Sequence, residues 1–284
     1  CVVASELVTA PYVRRLCKPC VWDDLEIAAG LDAWRSAHGA ARLRRWLTWQ
    51  KTTSYVRRLL PAFKVVTVVS EIEQGILGQI APDYHGRKVL PNGVDTEYNR
   101  PGKEISTPGR LIYSGALTYS ANYDAVKYFL AEIFPLIRQQ LPDITLDITG
   151  SKQGVNLAGL RLDEHTCLTG FVADIRPVVA GAWACVVPLR QGSGTRLKIL
   201  EAMALGTPVV STSKGAEGLE VTQEENILIG DEPETFARQV ARLLGDSALR
   251  SQLAENGRRL VEQKYSWTEI GKDFCTLVEK AAQA

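Results

Sequence analysis

The stretch Gly192-Ser193-Gly194-Thr195-Arg196-Leu197-Lys198-Ile199-Leu200-Glu201-Ala202-Met203-Ala204-Leu205-Gly206-Thr207-Pro208 decides the fold. It follows a run, Ala184-Cys185-Val186-Val187-Pro188-Leu189, whose apolar character suits a strand buried on both faces of a parallel sheet. The segment is therefore read as the loop and helix that leave such a strand. Its glycines let a ligand approach the backbone, and the helix they open aims free N–H groups at that ligand, an arrangement suited to a diphosphate. Arg196 and Lys198 stand at the positive end of the helix macrodipole, a place for cations only where an anion is expected. Glu201 lies about two turns in, among Ile199, Leu200, Ala202 and Met203, and a carboxylate in such company needs hydrogen-bond donors. Ribose hydroxyls would supply two. A lysine or arginine in an ordinary strand-helix connection would serve as well, and residue types alone leave both readings open.

Working outward, strands and helices alternate. Leu111 to Gly115 reads as a strand, Asp124 to Leu141 as a helix and Thr145 to Gly150 as the next strand. On that helix Val126, Phe129, Leu130, Ile133 and Ile137 recur at three- and four-residue steps, one apolar stripe to lay on a sheet. Further strands are read at Cys167–Thr169, Pro208–Ser211 and Asn226–Ile229, and three helical stretches, 233–245, 248–264 and 267–281, close the chain. Upstream, Cys1–Ser5, Val65–Val69 and Lys88–Leu90 read as strands and Glu71–Ile80 as a helix with Ser70 at its N-cap. Pro91-Asn92-Gly93 is a turn, and the polar stretch after Asp95 reads as a linker and hinge. The alternation predicts doubly wound parallel sheets.

Composition narrows the field without naming a chemistry. The 284 residues carry a formal net charge of +1 with acids and bases interspersed, which gives no field suited to nucleic acid. Arg42, Arg44, Arg45 and Lys51 form a local basic cluster. The six cysteines are scattered, mostly in apolar runs, as in a reduced cytoplasmic chain, and Cys17-Lys18-Pro19-Cys20 lacks a second pair at zinc spacing. No run approaches the roughly 18 apolar residues of a spanning helix. The chain opens on Cys1 and an interior-type strand, from which an amino-terminal truncation is expected.

Gly-x-Gly-Thr-Arg-Leu-Lys-Ile-Leu-Glu-Ala-Met-Ala-x-Gly-x-Pro-Val-Val-Ser-Thr resembles the carboxy-terminal signature of the glycosyltransferase group 1, or family 4, enzymes of GT-B fold. Pro91-Asn92-Gly93-Val94-Asp95, Gly115, Gly170-Phe171-Val172, Asp174, Pro188-Leu189 and Tyr265-Ser266-Trp267 occur in the family's order. The resemblance spans roughly Val65 to Trp267. It implies an α/β protein of GT-B type with two Rossmann-like doubly wound parallel-sheet domains, the amino-terminal one incomplete. The expected division is an acceptor-side domain over 1–95, a linker over 96–108, a donor domain over 109–264 and a terminal helix over 265–284 that crosses back, with Trp267 packing between domains.

By the same resemblance the chain would be a retaining glycosyltransferase, moving a sugar from a nucleotide-diphosphate sugar to a sugar or lipid-linked hydroxyl acceptor in bacterial polysaccharide biosynthesis. Arg196, Lys198 and Glu201 would be its catalytic residues. Gly115, Phe171, Val172, Ser193, Gly194, Thr195 and Leu197 would bind the donor, Phe171 and Val172 holding the base and Glu201 the ribose. No metal and no cofactor are expected, nor any nucleic-acid partner; the site would be cytoplasmic, with peripheral contact at the inner face of a membrane left open. Three departures stand out: Ser193 where many relatives place a first glutamate, Ala116 and Asn122 where they place phosphate-binding cations, and Asp23-Asp24-Leu25-Glu26 in place of a His-Asn-x-Glu-like stretch. The first removes a direct carboxylate contact to the donor sugar, and the second moves the expected phosphate charge onto Arg196 and Lys198. Asp23, Asp24 and Glu26 could orient an acceptor or cap the helix that follows. A sugar-nucleotide epimerase of the same fold and a non-catalytic nucleotide-sugar-binding subunit are the competing readings.

Overall fold

The structure, a computed structural model, describes residues 1–14, 16–102, 106–192 and 194–283. Contacts divide it into two units: residues 1–92, 192–195 and 267–284 form the first, and residues 93–191 and 196–266 the second.

The first unit contains β1 (Val2–Ser5), α1 (Glu6–Val13), β2 (Cys20–Asp23), α2 (Ala28–Arg35), α3 (Gly39–Leu59), β3 (Val65–Val68), α4 (Glu71–Ile80) and β4 (Arg87–Val89). Its four strands pair in parallel in the order β1-β2-β3-β4. Cys20, Trp22, Val66 and Val68 of the sheet enter one core with Leu31, Trp49, Val56, Leu77 and Ile80 of the helices. Ser70 caps α4 as expected, its side chain accepting from Glu73 N–H. The acids of 23–26 do not cap α2, which begins later. Its first amides are instead met by Glu73, whose carboxylate accepts from Ile27 N–H (3.0 Å) and Ala28 N–H (2.9 Å). A side chain of α4 thus replaces a local cap. Replacing Glu73 with alanine strands both donors in the interior, and a loss of about 2 kcal/mol in urea unfolding is expected.

The second unit contains β5 (Arg110–Ser114), α5 (Ser120–Tyr128), α6 (Phe134–Gln140), β6 (Thr145–Thr149), β7 (Thr166–Gly170), α7 (Arg176–Ala180), β8 (Ala184–Val187), α8 (Leu197–Ala204), β9 (Val209–Ser211), β10 (Leu228–Ile229), α9 (Pro233–Gly245) and α10 (Ser247–Lys264). Six parallel strands run in the order β10-β9-β8-β5-β6-β7. The helix read over 124–141 is not regular: a π-helical segment, Phe129–Ile133, joins α5 to α6, and its wider turn leaves Phe129, Leu130 and Ile133 all buried. Gly206, at φ +75°, ends α8 in the left-handed conformation, and the next amide, Thr207 N–H, returns to Ala202 O. α10 lies on α8, with Gly257 facing Met203.

The stretch expected to be a hinge is fastened at its start. Val94 N–H donates to Tyr265 O (2.8 Å), and the Arg258 guanidinium donates to the carbonyls of Thr96 and Asn99. The final helix, α11 (Trp267–Gln283), packs against β2 within the first unit. Trp267 itself is half exposed at the start of α11.

Candidate functional site

In an open parallel α/β sheet a ligand crevice forms outside the carboxyl ends of the strands, where the strand order reverses. In the second unit the chain runs from β5 outward to β6 and β7, then returns to place β8 on the other side of β5. The reversal therefore lies between β5 and β8. The two connections that leave those strands carry Gly115 on one side and Arg196 to Glu201 on the other.

Lys198 joins them. From the first turn of α8 its Nζ donates to Asn122 Oδ1 (2.8 Å) and Tyr113 Oη (3.0 Å), and it lies 4.2 Å from the centre of the Tyr113 ring. Tyr113 Oη in turn donates to Asn122 Oδ1 (2.9 Å), and Asn122 Nδ2 donates to Ala116 O (2.9 Å), which fixes the amide with its oxygen toward the lysine. Burial lowers the Lys198 pKa to about 8, so near neutral pH its charge is held in a poorly solvated place. The neutral Asn122, expected only as a departure from the family pattern, is the acceptor that seats this ammonium.

The backbone is shaped to the same point. Gly115 adopts φ +154°, and a Cβ there would stand 2.7 Å from Lys198 Nζ and 2.8 Å from Asn122 Nδ2. Gly150, at φ +120°, passes so close to the Gly115–Ala116 peptide that a Cβ would lie 2.5 Å from Gly115 C and O. The ends of β5 and β6 thus touch backbone to backbone beside the lysine.

Glu201 is partly buried one turn beyond Lys198. Burial raises its pKa and the nearby Lys198 charge opposes that rise, while no hydrogen bond to its carboxylate arises among the described residues. The Cys185 thiol on β8 is pushed up to about 12 by burial, so it stays neutral and apolar in character.

Arg196 takes a different course from Lys198. Its side chain is 6% exposed and turned into the protein, where Nη2 donates to Lys214 O (3.2 Å) and lies 3.8 Å from Glu217 Oε2. Glu217 also pairs with Lys214. The cation at the helix start thus has a protein partner, which the macrodipole argument alone does not supply.

The other expected site residues are spread along the chain. Phe171 and Val172 follow β7, two strands from β5, and Phe171 is 81% exposed. Leu197 opens α8 with an exposed side chain. Gly194 and Thr195 cluster with the first unit, where Thr195 Oγ1 accepts from Asn92 Nδ2 (3.1 Å). Ser193 lies outside the described residues. In the first unit, Asp23 accepts from Thr67 Oγ1 (2.6 Å), and Asp24 sits at φ +57° with its pKa raised by burial and by Asp23. Tyr113, Asn122 and Gly150 join the site without having been expected there. Only Asn122 carries a signal in the sequence, and on its own that signal reads as the loss of a cation.

Comparison with known proteins relates the chain to glycosyltransferases. The family described as glycosyl transferases group 1 matches residues 108–246. The chain is 25% identical over 254 residues to the putative glycosyltransferase YtcC of Bacillus subtilis, covering 78% of this chain and 62% of YtcC. It is also 25% identical over 281 residues to an MMP alpha-(1->4)-mannosyltransferase of Mycolicibacterium hassiacum, covering 95% of this chain and 66% of that protein. The chain therefore spans a little under two thirds of these relatives. Among solved structures, Anabaena Alr3699/HepE in complex with UDP superposes with a TM-score of 0.73 at 17% identity, over 96% of this chain and 74% of that one. That likeness shows the GT-B fold.

Proposed function

Because residues 108–246 match the family described as glycosyl transferases group 1, we propose that the chain belongs to it, that its second unit binds a nucleotide-diphosphate sugar between β5 and β8 and that the whole protein transfers the sugar, with retention, to a hydroxyl acceptor. The observation that carries this reading is the seating of Lys198 at the point where the strand order reverses. A lysine held there by two neutral oxygens keeps its charge available to an anion, and the first amides of α8 add to the same positive potential.

In the proposed reaction the bond from the anomeric carbon to the diphosphate breaks, the diphosphate leaves with the bonding electrons, and the acceptor oxygen attacks from the same face, its proton passing to the departing diphosphate oxygen. Lys198 and the α8 amides stabilise charge on the leaving group without reorganising, the condition under which fixed dipoles and cations contribute most. Glu201 accepts hydrogen bonds from the ribose, which matches a partly buried carboxylate that receives none from the described protein groups. Arg196 acts one step back in this reading: fixed on Lys214 and Glu217, it holds the loop before α8 in place. No metal takes part, and activity retained in EDTA is the expected result.

Glu201→Ala tests the ribose role. Losing two hydrogen bonds to a carboxylate should weaken binding of a nucleoside diphosphate about 10- to 100-fold while leaving inorganic pyrophosphate binding unchanged, as read by titration calorimetry. Equal losses for both ligands would remove the assignment.

A further inference from the structure

We propose that the amino-terminal half of α3 is a docking surface for an anionic lipid bilayer. This inference stands apart from the donor reading, because every residue it uses lies in the first unit and none borders β5 or β8.

α3 packs into its unit through Trp49, Thr53, Val56 and Leu59, all in its carboxyl half. From Gly39 to Thr48 every residue is exposed. That end nevertheless carries large apolar side chains: Leu43 is 60% exposed, Trp46 39% and Leu47 46%. Spaced at i, i+3 and i+4, they lie along one side of the helix. Exposed apolar groups scattered singly need no explanation, but three in one helical stripe are a local patch of the kind that marks a contact surface.

The charge around the patch selects the occupant. The sequence of α3, GAARLRRWLTWQKTTSYVRRL, has no acidic residue. Arg42, Arg44 and Lys51 surround the stripe, and Arg45, though its Nη1 donates to Ala33 O (3.0 Å), remains exposed. The whole chain is nearly neutral at +1, so this concentration of cations is local to one helix. Cations beside aliphatic and tryptophan side chains fit the interface of an anionic membrane: the arginines and lysine meet the headgroups, Leu43 and Leu47 enter the acyl boundary, and Trp46 sits at headgroup level. A nucleic acid would use the cations but gain nothing from Leu43 and Leu47, since its bases stack on flat side chains. The surface is also unlike a spanning segment, as no helix of the described residues is long and apolar enough to cross a membrane.

The test is sedimentation of the full-length protein with vesicles of equal parts phosphatidylglycerol and phosphatidylcholine, and with vesicles of phosphatidylcholine alone. The protein should pellet with the anionic vesicles and remain in solution with the neutral ones. Arg44→Glu with Lys51→Glu should reduce anionic vesicle binding at least about tenfold. Leu43→Ser with Leu47→Ser, which leaves the charge unchanged, should reduce it by a similar factor. All four positions are exposed, so circular dichroism of both variants should match wild type. Should either variant misfold, the wild-type protein still decides the matter through release from anionic vesicles by added salt. Failure to pellet with anionic vesicles would overturn the proposal. So would equal binding to both vesicle types, wild-type binding by both variants, or displacement of the vesicles by polyuridylate with no loss in the serine variant, which would assign the helix to nucleic acid.

Discussion

Lys198→Ala should lower affinity for a nucleoside diphosphate by about 10- to 100-fold, the effect expected from removing one charge-assisted contact in a poorly solvated site. The wild-type pH dependence should report the same group. Burial holds its pKa near 8, so the ammonium proposed to meet the diphosphate is present below that value and is lost above it. Affinity should therefore be highest on the acid side and fall as pH rises through about 8, with no such fall in Lys198→Ala. Asn122→Leu sharpens the test. Removing an oxygen that accepts from Nζ disfavours the charged form, so the fall should move to lower pH. Isothermal titration across pH, run on the three proteins, checks the set. A wild-type profile that is flat from neutral to alkaline pH would remove Lys198 from the diphosphate site.

Gly150→Ala should cost about 3 kcal/mol of stability, the upper range for an overpacked and strained position. Two causes add there: φ is +120°, and the new Cβ would lie 2.5 Å from the carbonyl carbon and oxygen of Gly115. Neither atom belongs to a side chain that can swing away. Separating the backbones also moves Gly115 away from Lys198 and Asn122, so donor affinity should fall with stability. Gly154→Ala supplies the control. Gly154 has φ +72° with nothing within 4 Å of its Cβ position, so only the left-handed backbone penalty of about 1 kcal/mol applies, with affinity unchanged. Urea denaturation and nucleotide titration of both variants compare the two mechanisms. Equal losses in the two would show that contact with Gly115 contributes nothing.

Most parallel strands and their crossover helices are legible because burial on both faces leaves a mark in the sequence itself. Val65-Val66-Thr67-Val68, Leu111-Ile112-Tyr113 and Ala184-Cys185-Val186-Val187 carry no charged residue, and the last of these is completely buried. The signature from Gly192 onward also places α8, since its glycines and its apolar stripe are local features. β2 is the exception among the strands: its apolar part, Cys20-Val21-Trp22, is only three residues long, follows a proline and runs straight into acids.

What is not legible depends on partners distant in sequence. Asn122 looks like a lost cation until Lys198, 76 residues away, is seen to donate to it. Glu73 looks like a first-turn acid of its own helix, yet it caps α2 across 45 residues. Arg196 looks like a phosphate ligand from its place at a helix start, and only the fold brings Glu217 beside it. The π-helical segment escapes for another reason: Val126, Phe129, Leu130, Ile133 and Ile137 keep three- and four-residue steps through it, so the apolar pattern is unchanged by one wider turn.

The strand order of the second unit also sets when its crevice can exist during folding. β5, β6 and β7 can pair in sequence as short-range units, whereas β5 meets β8 only after β6, β7 and their connections have been gathered between them. Contacts that close long loops come late, because the entropy of closure must be overcome before they form. The proposed donor site is then among the last parts of the unit to form and among the first to open. A bound nucleotide should accordingly act mainly by slowing unfolding, with little effect on the rate of folding.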